Sequence, residues 1–310
     1  MDKGDILTEK DAWSKLNRLF FPLCRNTPIY SDNMSKCHAT DRSKATLFNS
    51  VFASMHDSSP GLTELPVDPV TVPSVTVWEV THALRKLRNS GSADHVGLHP
   101  CFVKVFLGEC RKQTAEAFTQ LLRHPRDMPP HWKTAVFCPI LKPGKPPTEA
   151  TSYRPVAITS LVCRTFERVV SRRLMSFLHD KLSPVQFGFR PGYSTEDAIA
   201  RVYGTLVKMA NTRSVKYIER PNKKGTIVTS GKFTGHVSIL GLLDLKDAFC
   251  RVPHKHLLDA LALLQVPDYI MSIVAHWLTG RTSRTCVQGR YSSSLVLPCG
   301  SLKVQYWVLY

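Results

Sequence analysis

The stretch Ile239-Leu240-Gly241-Leu242-Leu243-Asp244-Leu245-Lys246-Asp247-Ala248-Phe249-Cys250-Arg251-Val252-Pro253-His254 decides how the rest of the chain is read. Its apolar run is long enough for a buried strand. Asp244 arrives as the run closes, and an aromatic, Phe249, follows five residues later before Pro253 stops the element. The spacing predicts a strand built to hold an acid at its end. A plainer account, a core strand whose first solvated residue is an aspartate, fits the same residues, so the flanking sequence has to separate the two.

Downstream, His256 to Leu264 and Tyr269 to Leu278 read as two helices divided by Pro267. Arg284 to Gln288 and Ser294 to Leu297 read as strands of a hairpin around Gly289-Arg290. Upstream, residues 211 to 235 hold Lys216, Arg220, Lys223, Lys224, Lys232 and several glycines, the composition of a mobile basic loop. Before it lies Gln186-Phe187-Gly188-Phe189-Arg190-Pro191-Gly192-Tyr193-Ser194-Thr195. There Gly188 and Gly192 permit close backbone approach, and Phe187, Phe189 and Arg190 line either a template or nucleotide, or merely a turn capped by Ser194 or Thr195.

Leu161, Phe166, Val169, Val170, Leu174, Phe177 and Leu178 describe an amphipathic helix. Arg164, Arg168, Arg172 and Arg173 sit elsewhere on its surface, where basic side chains track a phosphate backbone without reading sequence. Trp132 to Leu141 alternates as a strand, with Val136, Cys138 and Ile140 on one face, and ends in the turn Lys142-Pro143-Gly144-Lys145, followed by Tyr153-Arg154-Pro155-Val156. Two lysines on a tight turn and an arginine just beyond suit a triphosphate, since Arg offers a planar fork and Lys a point charge; an exposed basic hairpin has the same residues.

Nearer the N-terminus, Val75 to Leu87 and Pro100 to Leu122 read as helices joined by the turn-rich loop Asn89 to Leu98. Leu47, Phe48, Val51 and Phe52 have the spacing of a packing helix, Trp13 to Leu23 is a further apolar cluster, and Pro60, Pro66, Pro69 and Pro73 mark a linker.

The 310 residues are enough for one large or two ordinary domains, and 43% hydrophobic content supports a real core. Lys and Arg outnumber Asp and Glu by 41 to 24, a net charge of +17, which favours a polyanionic partner such as nucleic acid or an anionic membrane surface. No window has the apolar length of a spanning helix and Met1 to Asp5 opens no signal peptide, so the expectation is a soluble intracellular chain with no membrane partner. The nine cysteines form no Cys-x-x-Cys pair and read as reduced, packed thiols; Cys37-His38 near Cys24 falls short of a four-ligand zinc site.

Taken in order, these motifs resemble the reverse transcriptases of non-LTR (LINE-like) retrotransposons over about residues 76 to 300. Trp132 to Lys145 with Tyr153-Arg154-Pro155 is similar to their first fingers motif and Gln186 to Arg190 to their second. Leu243-Asp244 with Ala248-Phe249, Val252-Pro253-His254 and Leu257 is similar to palm motif A and its following helix. Two positions depart: the loop around Asp94 matches weakly the Pro-Gly-x-Asp-Gly turn, and Cys250 stands where the family generally has Asp.

The resemblance implies an α+β right-hand polymerase: a helical and linker segment over 1–75, fingers over 76–235 and a partial palm carrying motif A over 236–300, with the thumb absent. It implies RNA-directed DNA polymerase activity, with RNA template, DNA primer and dNTP as partners. Asp244 then binds the catalytic metal, expected to be Mg2+ from its hard oxygen ligands. Lys142, Lys145 and Arg154 face the incoming nucleotide, Phe249 sits under its sugar, and Gln186, Phe187, Gly188, Phe189 and Arg190 contact template or nucleotide.

One carboxylate cannot hold the two ions, about 3.5–4 Å apart, that nucleotide addition uses, and the sequence contains no Asp-Asp pair. Residues 301–310 read as an out-of-frame tail: shifted by one base, the codons of Tyr306-Trp307 and Trp307-Val308 are forced to encode Leu and Gly, as the family motif has there. The expectation is therefore a chain that does not polymerise. A non-catalytic basic RNA- or DNA-binding remnant and an interaction domain solubilised by its charge are the rival readings.

Overall fold

The computed structural model describes residues 27–31, 36–56, 62, 65–89, 93–211, 214–221, 227–234, 239–245 and 248–299. The expected tail over 301–310, the Trp13 to Leu23 cluster and Pro60 lie outside them. In chain order the elements are β1 (Ile29–Tyr30), β2 (Cys37–His38), α1 (Asp41–Ser54), α2 (Val77–Arg85), α3 (Pro100–Glu109), α4 (Arg111–Arg123), β3 (Thr134–Leu141), β4 (Tyr153–Ile158), α5 (Leu161–Leu178), α6 (Thr195–Asn211), β5 (Ser214–Pro221), β6 (Ile227–Thr234), α7 (His254–Leu263), α8 (Asp268–Leu278), β7 (Thr282–Val287), β8 (Arg290–Tyr291) and β9 (Leu295–Val296). This is an α+β chain. The described residues up to Lys181 and from 248 onward form one compact unit, and those from Leu182 to 245 form a second.

The first unit is built on a mixed sheet in the order β4-β3-β7-β8, with β9 also paired to β7. β3 runs antiparallel to β4 and parallel to β7, Thr134 facing Thr282 and Phe137 facing Thr285. Sequence alternation put Val136, Cys138 and Ile140 on one face; Val136 and Cys138 are buried and Ile140 half-buried, while Ala135 and Phe137 of the other face are buried too. Where β3 lies between β4 and β7, at Val136 and Phe137, alternate side chains on both faces are covered, whereas its end at Ile140 and Leu141 is half-buried. Pro139 stands opposite Pro155; two residues without N–H groups suit a non-hydrogen-bonded pair, where neither donates across the ladder. Gln288 and Gly289, both at positive φ, join β7 to β8 in the two-residue hairpin that type I′ geometry favours.

The helices follow from their caps and stripes. Thr40 caps α1 by accepting the Ser43 N–H at 3.2 Å. Phe48 and Phe52, one turn apart, pack edge-on against Tyr153 at 4.8 Å and Phe137 at 5.8 Å. α1 thus lies on the sheet it was expected to precede. Thr76 and Glu79 exchange bonds in a capping box at the start of α2. The single helix expected over 100–122 is two, because Cys110 leaves the helical region (φ −95°, ψ 35°) two residues after Gly108, a poor helix former. α5 spans the residues its apolar stripe predicted, and its Phe166 meets Phe118 and Trp132. α8 buries Ile270, Ile273, Val274, Ala275, Trp277 and Leu278.

In the second unit, α6 went unread in the sequence although Ser194 and Asp197 bond reciprocally at its start. Within the expected mobile loop over 211–235, residues 214–221 and 227–234 are instead an antiparallel pair, β5 with β6, with Lys216 opposite Lys232 in register, and Lys223 and Lys224 lie outside the described residues. The central strand expectation also fails: residues 239–245 belong to no strand, with Ile239 91% and Leu243 99% exposed. An apolar run becomes a strand only where another strand accepts its backbone bonds, and no described residue pairs with it.

Candidate functional site

The ribbon formed by β3 and β4 carries the cations singled out in the sequence. Its register sets Ile140 against Arg154 and Leu141 against Tyr153, and the Lys142 N–H donates to the Ser152 carbonyl at 2.9 Å, so the ladder runs on to Lys142. Side chains alternate along a strand, so Lys142, Ile140 and Arg154 share one face, with Lys142 and Arg154 as diagonal neighbours about 7–8 Å apart. Lys142-Pro143-Gly144-Lys145 closes with the Lys145 N–H on the Lys142 carbonyl at 3.2 Å. Pro at the second position and Gly144 at φ +70° are the signature of a type II turn, where a Cβ would be strained.

The ends of these side chains differ. Lys142 Nζ donates to the Thr151 carbonyl at 2.9 Å, which holds it over the loop that joins the strands. Lys145 and Arg154 are exposed, and neither has an ion-pair partner among the described residues. Tyr153, buried, fixes the loop by donating its hydroxyl to the Pro147 carbonyl at 2.8 Å.

Phe249 sits half-buried in a single 3-10 turn, Ala248–Cys250. A relay that sequence reasoning missed fixes this turn. The Cys299 thiol donates to the Cys250 carbonyl at 3.2 Å, and the Cys299 carbonyl accepts from His56 Nδ1 at 2.7 Å. Burial, with Arg281 and His254 nearby, holds the His56 imidazole below its ordinary pKa even though the carbonyl bond favours its proton. A histidine just after an amphipathic helix gives no sequence signal of such a role.

The departure at Asp94 also acquires a physical account. Its buried carboxylate accepts three backbone N–H groups: Val96 at 3.1 Å and Leu98 at 2.9 Å on one oxygen, Leu161 at 2.8 Å on the other. Leu161 opens α5, so Asp94 satisfies an orphan donor of a helix 67 residues away and ties the loop to the end of β4.

The basic face expected along α5 is divided. Arg168 Nη1 donates to the Ala83 carbonyl at 3.2 Å, and Arg173 forks onto Glu79 at 2.7 and 2.9 Å while also reaching the Pro73 and Ser74 carbonyls. Those two arginines fasten α5 to α2 and its approach. Burial alone would raise the Glu79 carboxyl, but the Arg173 and Thr76 hydrogen bonds outweigh it and the group lies below its usual range.

In the second unit, Gln186 to Arg190 form a turn. Phe189 is 58% exposed at φ 57°, a left-handed conformation that costs a bulky residue energy. Phe187 packs on Tyr193 at 5.7 Å, and Arg190 lies over the Tyr193 ring at 4.4 Å and donates to the Ser183 carbonyl. Gly188 is exposed with open space around its α-carbon. Asp244 is exposed and belongs to the same unit, whereas Lys142, Lys145, Arg154 and Phe249 belong to the first. Among the described residues no three His, Cys, Asp or Glu side chains come together to hold a metal ion. No described helix is long and apolar enough to cross a membrane.

The family model for reverse transcriptase (RNA-dependent DNA polymerase) matches residues 140–303, which take in the Lys142–Lys145 turn, β4, the 186–190 turn, Asp244 and the Phe249 turn. A probable RNA-directed DNA polymerase from transposon X-element of Drosophila melanogaster is 38% identical over 156 residues, 49% of this chain and 14% of that protein. A probable RNA-directed DNA polymerase from transposon BS of the same fly is 25% identical over 238 residues, 76% of this chain and 23% of that protein. The RNA-directed DNA polymerase from mobile element jockey of Drosophila funebris is 25% identical over 272 residues, 85% of this chain and 26% of that protein. The chain therefore spans about a quarter or less of the length of these relatives. With the family's model matched over more than half of its residues and the motifs in the order that LINE-like elements keep, this chain belongs to the reverse transcriptase (RNA-dependent DNA polymerase) family.

Proposed function

We propose that this chain is the fingers and first palm portion of an RNA-directed DNA polymerase, with its nucleotide-facing surface on the β3–β4 ribbon. The observation that carries the reading is the shared face of Lys142 and Arg154 beside the Lys145 turn. Arg154 offers the planar fork that grips two phosphate oxygens, and the two ammonium groups add point charge around it. Phe249, in a turn pinned by Cys299, is assigned to the sugar of the incoming nucleotide. Gln186, Phe187, Gly188, Phe189 and Arg190 are assigned to template or nucleotide, which the exposed, strained Phe189 supports.

Reverse transcriptases use divalent metal ions, and Asp244 is the residue here that matches a ligand position. It does not by itself fit a pair of ions, which needs further carboxylates, and the sequence has no Asp-Asp pair. No metal-dependent step is therefore assigned to this chain as it stands. That shortage favours a second reading, a non-catalytic RNA- or DNA-binding remnant of the same fold.

Triphosphate binding and primer extension separate the possibilities. The purified chain is expected to bind dNTP weakly through the ribbon, with Arg154→Ala losing more than Lys142→Ala, whose ammonium is already engaged on Thr151. It is expected to extend no primer on an RNA template. Extension above a no-enzyme control that disappears in Asp244→Ala overturns the inactive reading, and dNTP affinity indifferent to Arg154→Ala removes the nucleotide site from the ribbon.

A further inference from the structure

A second surface of the first unit combines charge with an aromatic ring. Trp78, in the first turn of α2, is 57% exposed. His82, one turn on, stacks against the indole with ring centroids 5.4 Å apart and planes 22° from parallel. Arg172, from α5, lays its guanidinium carbon 4.0 Å from the centroid of the same ring. Arg85 and Lys86 stand exposed at the end of α2.

These cations share one neighbourhood. The His82 imidazole lies below its ordinary pKa through desolvation and then through Arg172, Lys86 and Arg85, so three positive charges act on one ring. The acid nearest in sequence is Glu79, and both of its oxygens are taken by Arg173 and the Thr76 cap. No described carboxylate pairs with Arg172, Arg85 or Lys86. Adjacent arginines thus do opposite work: Arg173 is consumed by an internal lock, while Arg172 lies on an exposed indole with its charge unneutralised.

The chemistry of that arrangement selects its ligand. A guanidinium held 4.0 Å over an aromatic ring offers its outer side to a nucleobase and its N–H groups to a phosphate oxygen. An unpaired base stacks on such a platform, whereas a duplex keeps its base faces inside and meets only the charge. Arg172 lies 11 residues beyond Leu161 along α5, and Trp78 is on α2, so the stack is built from elements other than the two strands that carry Lys142 and Arg154. The stack and the ribbon thus stand on different elements of the same compact unit.

We propose that Trp78 and Arg172, with Arg85 and Lys86, form a second contact surface for single-stranded RNA, the stack taking an unpaired base and the flanking cations its phosphates. This rests on the reading that the chain handles an RNA template, and it adds an anchor for the strand on elements other than the nucleotide-facing ribbon.

Fluorescence anisotropy of a labelled, unstructured single-stranded RNA against the full chain tests it, with the same RNA as a duplex and an acidic peptide as competitors. Trp78→Ala and Arg172→Ala should each weaken single-strand binding by about 5- to 100-fold, the range of one base–aromatic stack. Arg172→Lys should recover little, since it keeps the charge and loses the plane, and Trp78→Phe should lose less than Trp78→Ala. Circular dichroism melting reports folding; if Trp78→Ala fails to fold, Trp78→Phe and Arg172→Lys carry the test. The surface is refuted if Arg172→Lys and Trp78→Ala bind as wild type, or if duplex or acidic peptide binds through these residues as well as the single strand does. Wild-type chain with no RNA affinity refutes the template reading itself, whereas wild-type affinity with indifferent variants removes this surface alone.

Discussion

The Asp94 carboxylate accepts the backbone N–H of Leu161 at 2.8 Å, joining the loop between α2 and α3 to the first turn of α5. Both oxygens are used, and every partner is a donor. Asp94→Asn should therefore be nearly as damaging as Asp94→Ala, because an amide turns one acceptor into a donor facing another N–H. A loss of about 1–3 kcal/mol is expected for each in chemical denaturation. Asn at wild-type stability would show that the three bonds are not jointly required.

Asn49 is the corresponding hub between α1 and the hairpin strands. Its amide nitrogen donates to the Ser283 and Ser293 carbonyls, and its oxygen accepts the Ser283 and Thr285 hydroxyls, so all four directions are filled in a buried site. Asn49→Asp has the same shape but points an anion at two carbonyl oxygens. It should lower stability by roughly 2–3 kcal/mol, and Asn49→Ala by less, measured as a shift in denaturation midpoint.

The Glu79–Arg173 pair gives stability an acid limb. The folded carboxyl lies below its ordinary range, so the pair contributes fully above the unfolded value of about 4.3 and loses its contribution as pH falls through the folded value. Glu79→Gln should be less stable than wild type at neutral pH and converge on it in acid. Parallel stability curves from neutral pH down to strong acid would show that the pair is energetically silent.

His56 works over a different range. Its folded pKa is lowered, chiefly by burial, so the unfolded chain takes up the proton first. Its contribution is complete above about 6.5 and declines as pH falls below that value, by at most about 1.4 kcal/mol per pH unit. His56→Gln, which keeps a donor for the Cys299 carbonyl, should flatten that decline. Hydrogen exchange around the Phe249 turn should rise with the loss of wild-type stability and stay level in the variant. An unchanged pH dependence in His56→Gln would assign the slope to another group.

The sequence by itself determined whatever is written within a short window or a fixed order. The apolar stripe of 161–178 set the limits of α5, Pro143 and Gly144 set the turn, and the succession of motifs set the family, because helix period, turn chemistry and motif order are local properties. Tertiary structure decided what depends on a distant partner. Asp94 looked like a weak motif match until Leu161 met it, and Arg172 and Arg173 looked equivalent until Glu79 took one of them. Lys142 and Arg154 share a face only through the register of two strands. The central apolar run marks the limit of the local reading: 239–245 has the composition of a strand, but a strand exists only in a ladder, and none of the described residues supplies it with a partner.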